Sequence, residues 1–110
     1  MAGRHLSPDQ LRHIAERFKA LAEPARLAIL HALRAGERTV TELVEHTSLN
    51  QANVSKHLQL LHSQRFVTRR KEGLFVYYSL AGRDVFRLCD IMCGRLQQEV
   101  KARRGTLARV

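Results

Sequence analysis

Apolar residues recur at helical spacing in the first third of the chain and predict two helices. Ser7 can cap the first helix, and Pro8 suits its first position. The apolar positions that follow share one face: Leu11, Ile14, Ala15, Phe18, Leu21 and Ala22. Pro24 begins a second helix, predicted over residues 24–34, which the small residues at 35 and 36 end.

Two further helices are predicted close together in the middle of the chain. The third begins at Thr39 or Thr41, and residues 48–50 form a turn after it. Asn50 can cap a fourth helix over residues 51–63, whose inward positions are Val54, Leu58 and Leu61. Two helices joined by a short turn are typical of a helix-turn-helix, whose second helix fits the major groove of DNA.

The period of the pattern changes after residue 65. Residues 66–71 and 74–80 are rich in β-forming residues, and the pair Glu72-Gly73 between them is typical of a hairpin loop. A last helix is predicted over residues 82–101. The order of elements predicts a mainly α fold with a small hairpin. We expect one winged helix-turn-helix domain over residues 1–110, with five helices and a two-stranded wing.

The charge balance points to a polyanionic partner. The chain carries 19 Lys and Arg against 10 acidic residues, a net charge of +9. Nucleic acid is the first candidate partner, and an anionic membrane surface is the second. The apolar runs are too short to span a bilayer, and residues 1–7 lack the apolar core of a signal peptide. We therefore expect a cytoplasmic protein that does not enter membranes.

The outward face of the fourth helix carries side chains suited to DNA. The candidates are Gln51, Asn53, Ser55, Lys56 and Gln59. Asn and Gln can bind adenine through two hydrogen bonds, and Lys can reach guanine or phosphate. Amphipathic helices ordinarily have polar outer faces, so this helix alone leaves a plain solvated face as an alternative. His57, at the edge of the buried face, is interpreted as a packed or capping-level histidine and not a metal ligand.

The predicted hairpin adds a second basic feature. Arg69, Arg70 and Lys71 crowd its tip, where cations can follow phosphates or enter the minor groove. Cations on an edge strand can instead prevent aggregation. The two features together, on a strongly basic domain, favour duplex DNA over the alternative of a winged-helix protein-interaction module. A thiol enzyme using Cys89 or Cys93 ranks last, because no general base or other catalytic motif accompanies them. We therefore predict no enzyme activity.

Two segments resemble the ArsR/SmtB family of bacterial winged-helix repressors. They read FKALAEPARLAILHAL and TVTELVEHTSLNQANVSKHLQLLHSQRFVTRRKEGLFVYYSL. The resemblance implies a homodimer with the first and last helices at its interface, a palindromic operator, and release from DNA when an inducer binds. It also implies DNA contacts at Gln51, Asn53, Ser55 and Lys56 and on the wing near Arg70.

The sequence departs from the metal sites of that family. Residues 38–43 lack the Cys-x-Cys motif of the third helix, and of the last-helix zinc site only Asp84 is present. We therefore expect neither metal site to function and no cofactor to be bound. Cys89 and Cys93, four apart on the last helix, share a face and can bind a soft thiophilic ion or react with an oxidant. The alternative is that both only pack in a helix interface.

Overall fold

The first and third helices begin at capping side chains, and the second begins at a proline. A computed structural model describes residues 5–103. Helix α1 spans Pro8–Leu21, α2 spans Pro24–Ala32 and α3 spans Val40–Thr47. Ser7 and Thr39 cap α1 and α3, and each forms a reciprocal capping box with the residue three positions later. Of the two predicted starts for the third helix, the one at Thr39 is therefore confirmed.

Helix α2 ends two residues earlier than the predicted boundary at residue 34. Its last turn tightens into a 3-10 turn, Leu33–Ala35, in which the Gly36 amide donates to the Leu33 carbonyl over 3.1 Å. Gly36 then adopts a φ of 135°, a conformation that side-chain-bearing residues rarely adopt. The chain leaves the helix at this point and enters the segment that precedes α3.

The described residues continue with α4, a hairpin and a long last helix. Helix α4 spans Gln51–Ser63, strands β1 and β2 span Val67–Glu72 and Phe75–Leu80, and α5 spans Asp84–Arg103. The prediction of a mainly α fold with a hairpin wing is confirmed. The last helix begins two residues later than predicted, and its first turn is closed by the Phe86 amide donating to the Arg83 carbonyl. The predicted single domain includes residues 1–4 and 104–110, which lie outside the described residues.

The hairpin loop is shifted by one residue from its predicted position. Glu72 pairs with Phe75 in the antiparallel ladder, so the two loop residues are Gly73 and Leu74, and not Glu72 and Gly73. Gly73 has a φ of 60° at the first loop position, where a type II′ hairpin turn requires glycine. The shift places Leu74 at the tip of the wing, where it is 96% exposed.

The hydrophobic core lies between α2, α3, α4 and one face of the hairpin. Its buried residues include Ile29, Leu30, Leu33, Leu43, Val54, Leu58, Leu61, Val67 and Tyr78. Helix α5 contributes Val85 and Phe86 from its first turn, and Ala20 is the buried residue of α1. Most of α1 and α5 therefore lies outside this core.

A backbone pair joins the wing to the start of the helix-turn-helix. Arg38, one residue before the cap of α3, exchanges two backbone hydrogen bonds with Tyr78 of β2, at 2.9 and 2.8 Å. The segment before α3 thus pairs with one edge of β2 through a single antiparallel bridge, and β1 pairs with the other edge. This pair joins β2 to the segment that leads into α3.

Candidate nucleic-acid interface

Helix α4 presents a polar face whose direction is set by its buried side. Val54, Leu58 and Leu61 are completely buried. Five residues of α4 are predicted from the sequence to contact DNA. Ser55 is half-buried, and the other four are exposed: Gln51, Asn53, Lys56 and Gln59. The N-terminus of α4 is held by the Asn50 side chain, which accepts the Asn53 amide over 2.8 Å. A rigid helix therefore displays amide, hydroxyl and ammonium groups to solvent.

The three basic residues of the wing do not share one face of the hairpin. Strand alternation places Arg69 and Lys71 on the face of Val67 and Tyr78, whereas Arg70 lies on the opposite face beside Tyr77. All three side chains are exposed. Strand β1 packs against α4, so the wing and the helix that carries Lys56 are neighbouring elements.

Arg70 differs from the other two wing cations in having carboxylate partners. Its guanidinium forms ion pairs with Glu37 and Glu72, each at 2.5 Å. Hydrogen bonds from Arg70 lower the pKa of the Glu37 carboxyl, and the hydrogen bonds to Glu37 and Glu72 raise the pKa of Arg70 itself. Within residues 5–103, neither Arg69 nor Lys71 pairs with a carboxylate, and the same holds for Lys56.

Two features of this surface were not predicted from the sequence. Glu37 gave no sequence signal, because its partner Arg70 lies 33 positions away. The apolar tip of the wing, Leu74 with the neighbouring Phe75, depends on the hairpin register and was missed for that reason. Leu74 stands beyond the cations at the end of the hairpin, where an apolar side chain can enter a DNA groove.

The histidine at the edge of α4 contacts a basic side chain of α2. His57 is half-buried and lies against Arg26 of α2, 3.3 Å from ring nitrogen Nδ1 to the guanidinium. Across residues 5–103, no group of three His, Cys, Asp or Glu side chains comes together in a way that can hold a metal ion. No helix in the same range is long and apolar enough to cross a bilayer.

The two cysteines of α5 are free thiols in different surroundings. Cys89 is half-buried and Cys93 is exposed. Cys89 lines an open apolar groove between α1, α2 and α5, together with Phe18, Leu21, Leu27, Val85, Leu88, Ile91 and Met92. Leu96, a further exposed apolar residue of α5, lies about one helical turn beyond Met92.

Comparison with known proteins decides the family. The model of the bacterial regulatory proteins of the arsR family matches residues 23–69, which include α2, α3, α4 and the start of β1. A transcriptional repressor SmtB homologue of Synechocystis is 40% identical over 93 residues, covering 84% of this chain and 70% of that protein. The chain belongs to the arsR family of bacterial regulatory proteins. This family consists of transcriptional regulators and not enzymes.

Further relatives of this arsR-family protein agree in sequence and in fold. The arsenical resistance operon repressor of Bacillus subtilis is 34% identical over 78 residues, covering 70% of this chain and 74% of the repressor. A homodimeric winged helix-turn-helix DNA-binding domain of Mycobacterium bovis, solved by NMR, superposes with a TM-score of 0.72 at 36% identity. That alignment covers 93% of this chain and 95% of the other.

Proposed function

We propose that this arsR-family protein is a sequence-specific repressor that inserts α4 into the major groove of duplex DNA. The observation that carries the proposal is the polar face of α4, held in place by its fully buried opposite side. We assign the base-edge and phosphate contacts of the major groove to Gln51, Asn53, Ser55, Lys56 and Gln59. Asn and Gln suit adenine, while Lys56 suits guanine or phosphate.

The wing supplies phosphate contacts beside α4. Arg69 and Lys71 have no carboxylate partner among residues 5–103, so their charges are available to DNA. Because phosphate contacts release condensed counterions, they give affinity that depends steeply on salt concentration. Leu74 extends beyond these cations and contacts the adjoining groove.

The active form in this proposal is a homodimer that uses α1 and α5. Both helices leave large apolar side chains exposed, with Phe18 at 56%, Ile91 at 61% and Met92 at 58%. Two such faces at the ends of one chain are suited to a two-fold interface. The M. bovis neighbour with the same fold is a homodimer. A two-fold dimer reads a palindromic operator, with its α4 helices about 34 Å apart.

An inducer that acts near the dimer interface would release the operator. Cys89 and Cys93 are the proposed sensor thiols, because they lie four residues apart on one side of α5 and Cys89 lines the apolar groove. Their Cβ atoms are about 5–6 Å apart in a regular helix, wider than the 3.5–4.5 Å of a disulfide. A soft ion or a bond across the dimer fits this spacing better than a local disulfide does. The alternative is that both thiols only pack.

The proposed function is tested by measuring duplex DNA binding as a function of salt. We expect log K to fall by about 0.9 for every phosphate that the protein neutralises. A selected operator fragment should bind more tightly than random duplex of the same length. The absence of duplex binding at low salt would favour a protein-interaction module and overturn the proposal.

A further inference from the structure

Arg70 binds the carboxylate of Glu37, in the segment before α3, through two nitrogens of its guanidinium. Its Nε atom donates to Oε2 of Glu37 over 3.0 Å, and Nη2 donates to Oε1 of the same carboxylate over 2.5 Å. The third guanidinium nitrogen, Nη1, donates to Glu72 over 2.5 Å. A two-point pair of this kind fixes the direction of both side chains more strictly than a single contact does.

The Arg70 side chain extends from β1 across β2 to Glu37. Arg70 is on β1, Tyr77 is its partner on β2, and Glu37 precedes the residue whose backbone pairs with Tyr78. The guanidinium carbon lies 4.7 Å from the centre of the Tyr77 ring, a distance typical of cation–π contact. Arg70 therefore passes over β2 and connects the outer strand of the wing to the segment that enters the helix-turn-helix.

The charge of this cluster argues against a phosphate site. One guanidinium stands between two carboxylates, Glu37 and Glu72, so the group as a whole carries one net negative charge. For Arg70 to bind a phosphate, it would have to leave a two-point pair and leave two acids facing the DNA. Arg69 and Lys71, on the opposite face of the hairpin, have no such competition among the described residues.

We infer that Arg70 is a positioning residue, which clamps the wing to the helix-turn-helix through Glu37 so that Arg69 and Lys71 reach the DNA backbone. The inference rests on the proposed DNA-binding function and assigns Arg70 a role other than the phosphate contact that its place in a basic run suggests. Tyr77 supports the clamp through its ring, and the Arg38–Tyr78 backbone pair anchors it at β2.

Removing the Glu37 charge distinguishes a clamp from a phosphate contact at Arg70, because the two roles predict opposite changes in DNA affinity. In a purely electrostatic picture, Glu37→Gln removes an acid near DNA and strengthens binding. The clamp predicts the opposite: Glu37→Gln weakens duplex binding about fivefold, the upper range for an exposed ion pair. Glu45→Gln is the matched control, because Glu45 is an exposed acid of α3 with no ion pair within residues 5–103. We expect that control to bind as tightly as the wild type or more tightly.

The shape of the side chain at position 70 gives a second test. Arg70→Lys keeps the charge but cannot form the two-point pair. The clamp predicts that Arg70→Lys loses as much affinity as Arg70→Ala. Both variants should keep the wild-type dependence of log K on log salt, because Arg69 and Lys71 still neutralise the same phosphates once the complex has formed and only the cost of ordering the wing has risen. A phosphate-binding role predicts that Arg70→Lys binds normally and that Arg70→Ala lowers the salt slope by about 0.9 for each phosphate that is no longer neutralised. That result, or tight binding by Glu37→Gln, would overturn the inference.

Hydrogen exchange in the absence of DNA tests the clamp independently of the proposed function. We expect the amides of β1 to exchange faster in Glu37→Gln than in the wild type and in Glu45→Gln. If the wild type fails to bind DNA while β1 still loosens in Glu37→Gln, the proposed function falls and the clamp stands. Equal exchange of β1 in all three proteins would contradict the clamp.

Discussion

Arg26 on α2 holds the end of α1 and reaches His57 on α4. Its Nε and Nη2 atoms donate to the carbonyls of Ala20 and Lys19, at 2.6 and 3.2 Å, and Nη1 lies 3.3 Å from Nδ1 of His57. Because a guanidinium can only donate, Nδ1 of His57 is the acceptor. One half-buried side chain thus joins three helices.

We expect Arg26→Lys to lower the free energy of unfolding by about 1–3 kcal/mol. Arg26 contacts its three acceptors through three separate nitrogens, whereas a lysine has a single nitrogen and cannot reproduce that geometry. Urea denaturation measures the change. Arg17→Lys is the matched control on α1, since Arg17 is exposed and forms no hydrogen bond or ion pair with another described side chain. A variant at Arg26 that is as stable as the control would show that these hydrogen bonds contribute nothing net.

The capping box of α3 makes stability depend on pH. The Thr39 amide donates to the Glu42 carboxylate over 2.8 Å, and this hydrogen bond lowers the pKa of Glu42 below its ordinary value of 4.5. A carboxyl whose pKa is lowered by folding stabilises the protein above its unfolded-state pKa. That contribution is lost as the pH falls through the folded-state value.

Glu42→Gln isolates this contribution, because glutamine keeps an acceptor oxygen for the cap but does not titrate. We expect the wild type to be more stable than the variant at neutral pH, and the difference to shrink below pH 4.5. Urea denaturation of both proteins at several pH values gives the comparison. A difference that is independent of pH would mean that the charge of Glu42 adds nothing to the cap.

The local part of this fold could be predicted from the sequence, and the long-range part could not. Helix starts at Ser7, Thr39 and Asn50 depend on residues within three positions, so their signals are visible in the sequence. The hairpin turn was off by one residue because either choice places Gly73 in the loop, and only the pairing of Glu72 with Phe75 decides between them.

The candidate site divides in the same way. The exposed face of α4 follows from helical periodicity once Val54, Leu58 and Leu61 are assigned to the core. The ion pairing that distinguishes Arg70 from Arg69 and Lys71 does not follow from periodicity, because its partner Glu37 lies 33 positions away in the sequence. Strand alternation separates Arg70 from Arg69 and Lys71, but it does not identify the partner.

The proposed dimer interface can be broken by one charge. Ile91 is 61% exposed on α5, and Ile91→Glu would place a carboxylate in an apolar interface at a cost of about 3 kcal/mol or more. We expect the dimer dissociation constant to rise at least about a hundredfold, as measured by sedimentation. Leu74→Glu changes an equally apolar exposed residue at the wing tip and should remain dimeric. A wild-type monomer at micromolar concentration would contradict the proposed interface.

The sensor role of the thiols is tested by titrating operator release with arsenite, zinc, cadmium and a peroxide. If Cys89 and Cys93 sense a soft ion or an oxidant, one of these agents should lower the DNA affinity of the wild type by about 5–150-fold, the usual range of coupling between two sites. The double variant Cys89→Ser, Cys93→Ser should keep its affinity. An equal response of both proteins, or no release by any agent, would leave the cysteines as packing residues.

DNA affinity of a charge variant on α4 tests the central claim most directly. Lys56 is exposed on the polar face, and Lys101 is an exposed lysine near the end of α5, beyond the first turn that packs on the core. Each alanine variant removes one positive charge. We predict that Lys56→Ala weakens operator binding about tenfold or more and lowers the salt slope, while Lys101→Ala binds like the wild type. Equal affinities for the two variants would place the DNA-binding surface somewhere other than α4.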